Sequence, residues 1–306
     1  MTLSFIDEEK LHALLPMSAA IDALEAAFAA PELPEAPPRT FVSLDEGDLG
    51  LMPAGGPMGA GVKVITINGD NPQRGLPLIH GVYVLFAPGT LESRGVIEGG
   101  ALTGMRTAAV SGVATRCLAR ADASRLVVFG AGVQARSHLE AMRAVRDIES
   151  VTIVSRTRSR AEALALAAHS TGLEANVGGP DAVAEADIVC TCTTSDAPLF
   201  EGAMLSPGAH VNAVGTYRPD ARELDAEVMR RASRVVVESR ASALEEAGDV
   251  VLALGDGALA EDDLVELRDA VRDGGARATE EITVFKSVGL AVEDLVVASA
   301  AFERLG

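Results

Sequence analysis

The chain has 306 residues, 48% of them hydrophobic, and 26 basic against 44 acidic side chains give a formal net charge of −18. This length and apolar content suit about two domains with sizeable cores, and the acidic balance disfavours nucleic acid and anionic membranes as partners. A small anionic substrate stays compatible, because it responds to the local potential of its pocket.

In chain order, SFIDEEKLHALLPMSAAIDALEAAFAA predicts a short strand and one or two helices, which the Pro-rich PELPEAPPR ends. The runs RTFVSL, LGLMPAGG, GVKVITIN, HGVYVLFA and SRGVIEG follow, separated by Gly, Pro and Asn turns, and read as a mainly antiparallel sheet. Residues 101 to 122, ALTGMRTAAVSGVATRCLARAD, read as a bridging helix. The strands VVFGAG, VTIVS, DIVCTCTT, AHVNAVG and RVVVES then alternate with Ala-rich amphipathic stretches, the pattern of a doubly wound parallel sheet. The tail ATEEITVFKSVGLAVEDLVVASAAFERLG predicts a strand or turn and a helix that packs back on the first domain. The domains are therefore expected as 1–120 completed by 290–306, and 121–289. Exposed apolar edges of the first sheet would need a cover, which a second copy of the chain would supply.

The stretch SRLVVFGAGVQARSH places an apolar strand, a tight Gly turn and a helix start in the order of a dinucleotide pyrophosphate site. Gly130 takes the turn, Gly132 leaves room for the pyrophosphate, and Ala135 keeps the helix near the strand, with the leading amides around Val133 and Gln134 aimed at phosphate. NAD-selective enzymes usually end the next strand in Asp or Glu. Here it ends in Ser155, Arg156 and Thr157, with Arg160 beyond, and no carboxylate repels a 2′-phosphate. NADPH is the expected cofactor, with NADH as the alternative.

The five histidines, at 12, 80, 138, 169 and 210, form no HExxH or HxH grouping, and Cys117, Cys190 and Cys192 form neither a metal signature nor a disulfide framework, so no metal is expected. The absence of a secretory signal pattern and of an apolar span of about 20 residues leads to the expectation of a soluble cytoplasmic enzyme. Lys63 interrupts GVKVITI and shares a strand face with Ile65 and Ile67, where an ammonium is costly unless an anion answers it. An edge-strand gatekeeper is the alternative for this lysine. With Arg39 and Arg106 it would form a cationic cup for a substrate carboxylate. His80 is a candidate second proton donor, or a satisfied strand histidine. Tyr217 and Arg218 are candidates for the substrate mouth, with pairing to nearby acids as the plainer role of Arg218.

The strings LTGMRTAAVSGVA, VVFGAGVQARSH, ADIVCTCTTSDAPLF, VNAVGTYRPDARELD and TVFKSVGLAVEDL, in that order, resemble the ornithine cyclodeaminase and mu-crystallin family over nearly the whole chain. The resemblance implies a homodimer with an α/β fold, a Rossmann dinucleotide-binding domain plus a smaller α+β substrate-binding and dimerisation domain. It implies that Arg39, Lys63 and Arg106 hold the substrate carboxylate and surround the reacting carbon, with Lys63 and Arg106 as the catalytic candidates and Lys63 a proton relay in members that use it so. It further implies that Cys192, Thr193 and Thr194 line the ribose and diphosphate side of the dinucleotide and that Ser287, Val288 and Gly289 lie near the nicotinamide; Val214 is a further cofactor-binding candidate. Family cyclodeaminases carry an Asp in a segment like GDCPGKTEL, where this chain has Thr216 and Tyr217 and no carboxylate until Asp220. The variant with RPD and RELD resembles the ketimine reductase branch. The expectation is reduction of pyrroline-2-carboxylate or piperideine-2-carboxylate to proline or pipecolate. The alternatives are ornithine cyclodeamination with NAD, an alanine dehydrogenase-like activity, and a non-catalytic binder of dinucleotide and small ligand.

Overall fold

Alternation of buried small or apolar residues with more exposed ones builds the first sheet. The computed structural model describes residues 3–34, 36–274 and 280–305; the first two residues of the predicted tail, 278 and 279, lie outside them. In chain order the first elements are β1 (Ser4–Ile6), α1 (Glu8–Leu14), α2 (Met17–Ala29), β2 (Thr40–Leu44), β3 (Gly47–Gly56), β4 (Gly59–Ile67), β5 (Ile79–Phe86), β6 (Ser93–Glu98) and α3 (Gly99–Leu118). Then come β7 (Arg125–Phe129), α4 (Val133–Val145), β8 (Ser150–Val154), α5 (Arg158–His169), β9 (Glu174–Val177), β10 (Ile188–Thr191) and β11 (His210–Ala213). The last are α6 (Ala226–Arg231), β12 (Ala232–Val237), α7 (Arg240–Glu246), α8 (Gly248–Gly255), β13 (Leu264–Glu266), α9 (Leu267–Arg272), β14 (Ile282–Lys286) and α10 (Ala291–Leu305).

The chain divides into two units at Ala109/Val110 and at Val288/Gly289. The first division falls inside α3, not near 120, because the second half of that helix is built into the later unit. Ser111 Oγ lies 3.0 Å from His138 Nε2, Asn212 Nδ2 donates to Thr115 Oγ1 at 2.9 Å, and Arg146 caps the end of the helix by donating to the Thr115, Arg116 and Ala119 carbonyls.

The first unit holds a six-stranded sheet in the order β1-β6-β5-β4-β3-β2, antiparallel except for the parallel β1·β6 pair. Its buried face carries Met52, Lys63, Ile65, Tyr83, Leu85 and Ile97. Helix α10 lies on β3, β4 and β5, and α1 and α2 pack on α10. The other face presents Leu51, Val62, Val64, Val84 and Val96, half-buried, and Val82, exposed. Strand β2 is exposed along its whole length.

The second unit holds eight parallel strands in the order β13-β12-β14-β11-β10-β7-β8-β9. Numbered within this sheet, strands three, two, one, four and five run in the dinucleotide-binding order, and the direction of winding reverses between β7 and β10, the position at which such sheets bind ligand. Residues from β7, β10, β11, β12 and β14 make its continuous core, with Val127, Val189, Val211, Val235 and Val284 among them. Strands β9 and β13 add to those expected from the sequence. Among the described residues no single helix is long and apolar enough to cross a membrane.

Candidate active site

The turn between β7 and α4 opens a cleft of about 390 Å³ in the second unit. Gly130 has φ +109°, and a Cβ there would collide with the Cys192 carbonyl oxygen. At Gly132 a Cβ would meet no atom within 4 Å, so the backbone faces open space. Gly132 also caps α4 without any side-chain hydrogen bond, which leaves the helix's leading amides directed at the cleft's contents. Gly130, Gly132, Ser155, Arg156, Thr157, Arg160, Cys192, Thr193 and Thr194, all expected from the sequence, line this one cleft. Phe129, Ala131, Val154, Pro180, Ser195 and Leu199 complete the lining, and no carboxylate is among these residues.

Ala135 is fully buried in α4, consistent with close helix-to-strand packing, while Val133 is exposed and Gln134 half-buried. Val214 follows β11 and donates its amide to the Thr191 carbonyl. Ser287 and Val288 follow β14, where the Ser287 hydroxyl and the Val288 amide donate to the Glu238 carboxylate. These residues occupy carboxyl ends of parallel strands. The observed cradle fits a nicotinamide dinucleotide, with the Gly turn and α4 for the diphosphate and the residues after β8 for the adenosine ribose.

The first unit brings Arg39, Lys63, Arg106 and Gly289 together. Lys63 sits on β4, inside the sheet between β3 and β5, and is only 2% exposed, which rules out the edge-gatekeeper alternative. Its ammonium lies 2.8 Å from Asp294 Oδ2 and donates to Thr103 Oγ1 at 3.3 Å. The capping of α3 by Glu98, which accepts from the Gly100 and Ala101 amides, starts the helix that carries Thr103 and Arg106. Arg106 donates to Glu293 Oε2 at 2.8 Å, and its Nε lies 3.4 Å from Asp294 Oδ1. Both carboxylates lie in the first turn of α10, where the helix dipole favours negative charge. Gly289 has φ +79° and no Cβ, and the Arg106 guanidinium fills the space a side chain would take; Arg39 donates to the Gly289 carbonyl at 3.0 Å. Gly289, expected on the cofactor side, is thus a wall of the cup within its own unit.

Burial brings the Lys63 pKa down to about 8, against the opposing pull of Asp294. Tyr83, directly across the β4·β5 register from Lys63, is fully buried, and burial together with Asp294 holds its phenol well above the usual pKa. His80 is a correction: it pairs with Thr66, is exposed, and points to the sheet face opposite Lys63 because neighbouring positions alternate. Tyr217 is 38% exposed, and Arg218 pairs with Asp196 at 3.0 Å and Asp220 at 3.1 Å. Sequence reasoning missed Thr103, Tyr83, Glu293 and Asp294; two adjacent acids opening the apolar helix AVEDLVVASAAF were the available signal.

The parallel sheet with its Gly-turn cleft has the form of a dinucleotide-binding domain. The sequence model of the ornithine cyclodeaminase/mu-crystallin family matches residues 4–306, and the chain belongs to that family. It is 41% identical over 250 residues to a Delta(1)-pyrroline-2-carboxylate reductase of Bacillus cereus, covering 80% of this chain and 77% of that one. The structure of Thermococcus litoralis Delta(1)-pyrroline-2-carboxylate reductase in complex with NADH and L-proline superposes with a TM-score of 0.91 at 33% identity, covering 98% of this chain and 96% of that one. An archaeal alanine dehydrogenase dimer with bound NAD gives a TM-score of 0.91 at 30% identity, over 99% and 96% of the two chains. The chain is thereby placed among the NAD(P)H-dependent oxidoreductases.

Proposed function

We propose that the enzyme reduces a cyclic imine 2-carboxylate, pyrroline-2-carboxylate or piperideine-2-carboxylate, to proline or pipecolate with NADPH. The observation that carries this reading is the cup of Arg39, Lys63 and Arg106, two of whose cations are buried and held in place by Glu293 and Asp294. Planar guanidinium forks match a carboxylate, and a cup that is already ordered loses little freedom on binding it. When bound, the dinucleotide supplies the hydride. The ring nitrogen arrives protonated and keeps its proton, so Arg39, Arg106 and the Lys63 ammonium have to orient the substrate and no base is needed.

A cyclodeaminase needs such a base. Thr216 is buried with its carbonyl accepting from Lys286 Nζ at 2.6 Å, and Asp220 is exposed and paired to Arg218. The relative from Bacillus cereus supports the same choice. For the cofactor, the exposed Arg156 and Arg160 and the missing carboxylate support NADPH over the NADH that the Thermococcus litoralis enzyme binds. The same reading assigns Gly130, Gly132, Arg156 and Thr193 to the cofactor and Arg39, Lys63 and Arg106 to the substrate, with the unit division as the division of labour. It includes a homodimer covering the apolar sheet face of Val64, Val82 and Val84, and a cytoplasmic setting in keeping with three cysteines that form no disulfide.

The test compares NADPH and NADH oxidation with each cyclic imine, and with pyruvate plus ammonium, beside an ornithine assay for proline and ammonia. Rapid NADPH use with an imine alone is the expected result. Proline from ornithine with catalytic NAD, or turnover confined to pyruvate and ammonium, overturns it.

A further inference from the structure

Glu223, in the segment ARELD, is fully buried, and no part of the proposed reduction uses it. Its carboxylate accepts from Thr191 Oγ1 at 2.7 Å, the Thr193 amide at 2.9 Å, Thr193 Oγ1 at 2.6 Å and the Gly215 amide at 2.8 Å. Thr193 belongs to the loop after β10 and Gly215 to the loop after β11, so one side chain ties together the segments leaving two adjacent parallel strands. A Cβ on Gly215 would collide with both the Thr193 carbonyl and Glu223, so the two loops touch directly. Glu223 is itself anchored. Asp249 Oδ1, in the first turn of α8, accepts from the Glu223 and Leu224 amides at 2.8 Å each, and Lys286 reaches both Asp249 Oδ2 at 3.0 Å and the Thr216 carbonyl at 2.6 Å.

Burying a carboxylate is costly unless every lone pair is answered, and an apolar side chain would fill the same space more cheaply. All four donors to Glu223 lie at or just beyond strand ends, on the side where ligands of such sheets bind. We propose that Glu223 is a positioning residue for the nicotinamide half of the cofactor, clasping the loops after β10 and β11 into the shape that receives it. The proposal rests on the dinucleotide reading of the cleft. It separates Glu223 from the adenosine half, which Ser155, Arg156, Thr157 and Arg160 receive at the end of β8.

The test is E223Q, which keeps size but replaces one acceptor oxygen by a donor. NADPH binding is titrated by fluorescence, 2′,5′-ADP binding by calorimetry, and the melting temperature of the cofactor-free protein is recorded. The expected result is NADPH affinity lowered about tenfold or more with 2′,5′-ADP affinity held within about twofold. Equal weakening of both ligands, or NADPH affinity within about twofold of the native value, overturns the proposal. If E223Q does not fold, E223D, which keeps the charge but draws it back from the four donors, is read by the same ratio. If the native protein prefers NADH, the ratio is taken with NADH and ADP. None of these titrations contains an imine, so failure of the substrate assignment leaves their result intact.

Discussion

Arg156 and Arg160 stand exposed at the rim of the dinucleotide cleft, whereas Lys63 and Arg106 are buried and each is answered by Glu293 or Asp294. Both sets are suited to anions, by different physics. The cleft uses backbone amides, glycine space and solvated guanidinium groups, which interact through water and ions. The cup uses desolvated charges whose positions are set by neighbours, so under the proposed function a substrate carboxylate would meet cations already oriented. A buried cation is expected to matter more per residue than an exposed one.

The largest expected effect is therefore Lys63→Met. Removing the ammonium that would pair with the bound carboxylate costs about 2–5 kcal/mol, so kcat/KM for the imine should fall by about 1.5 to 3.5 orders of magnitude while NADPH affinity holds. A loss below about tenfold would show that the cup does not hold the substrate. Asp294→Asn acts on the same cluster from the other side: it leaves Lys63 short of its partner, and urea unfolding should report about 3–5 kcal/mol lost stability. Little change would mean that Glu293 and Thr103 suffice to order the cup. The pH profile is the next step down. Lys63 must be protonated to attract a carboxylate, and its pKa is brought to about 8, so kcat/KM should decline as pH rises through that value. A profile flat to pH about 10 would deny Lys63 the charged role.

The dinucleotide turn was legible in the sequence because its determinants are local: Gly130, Gly132 and Ala135 act within one strand, turn and helix. Strands β9 (EANV) and β13 (LVE) were not, since each is short and carries polar residues, and its strand character comes from pairing with β8 or β12. For the cup, the three cations were legible as residue types, but their counter-charges were not, because Asp294 lies 231 residues from Lys63. His80 failed for a related reason. Which face of a strand meets a given neighbour depends on register, and the Thr66–His80 pairing was not deducible from alternation in either strand alone. Glu223 was visible inside RELD, yet its four donors come from the end of β10 and from the loops after β10 and β11.

The two smallest expected effects separate the cleft from the cup most directly. Arg156→Ala should raise KM for NADPH about tenfold and leave KM for NADH unchanged, since only the 2′-phosphate loses a partner. Salt should act more weakly in the same direction. Exposed charges are screened as the Debye length falls from about 10 Å at 0.1 M to about 3 Å at 1 M, whereas buried pairs are screened much less. Raising KCl over that range should therefore increase the KM ratio of NADPH to NADH a few-fold, with KM for the imine changing less. If instead KM for the imine rises in step with KM for NADPH, then mobile ions reach Lys63 and Arg106 as readily as Arg156, and the distinction between a desolvated cup and a solvated rim fails.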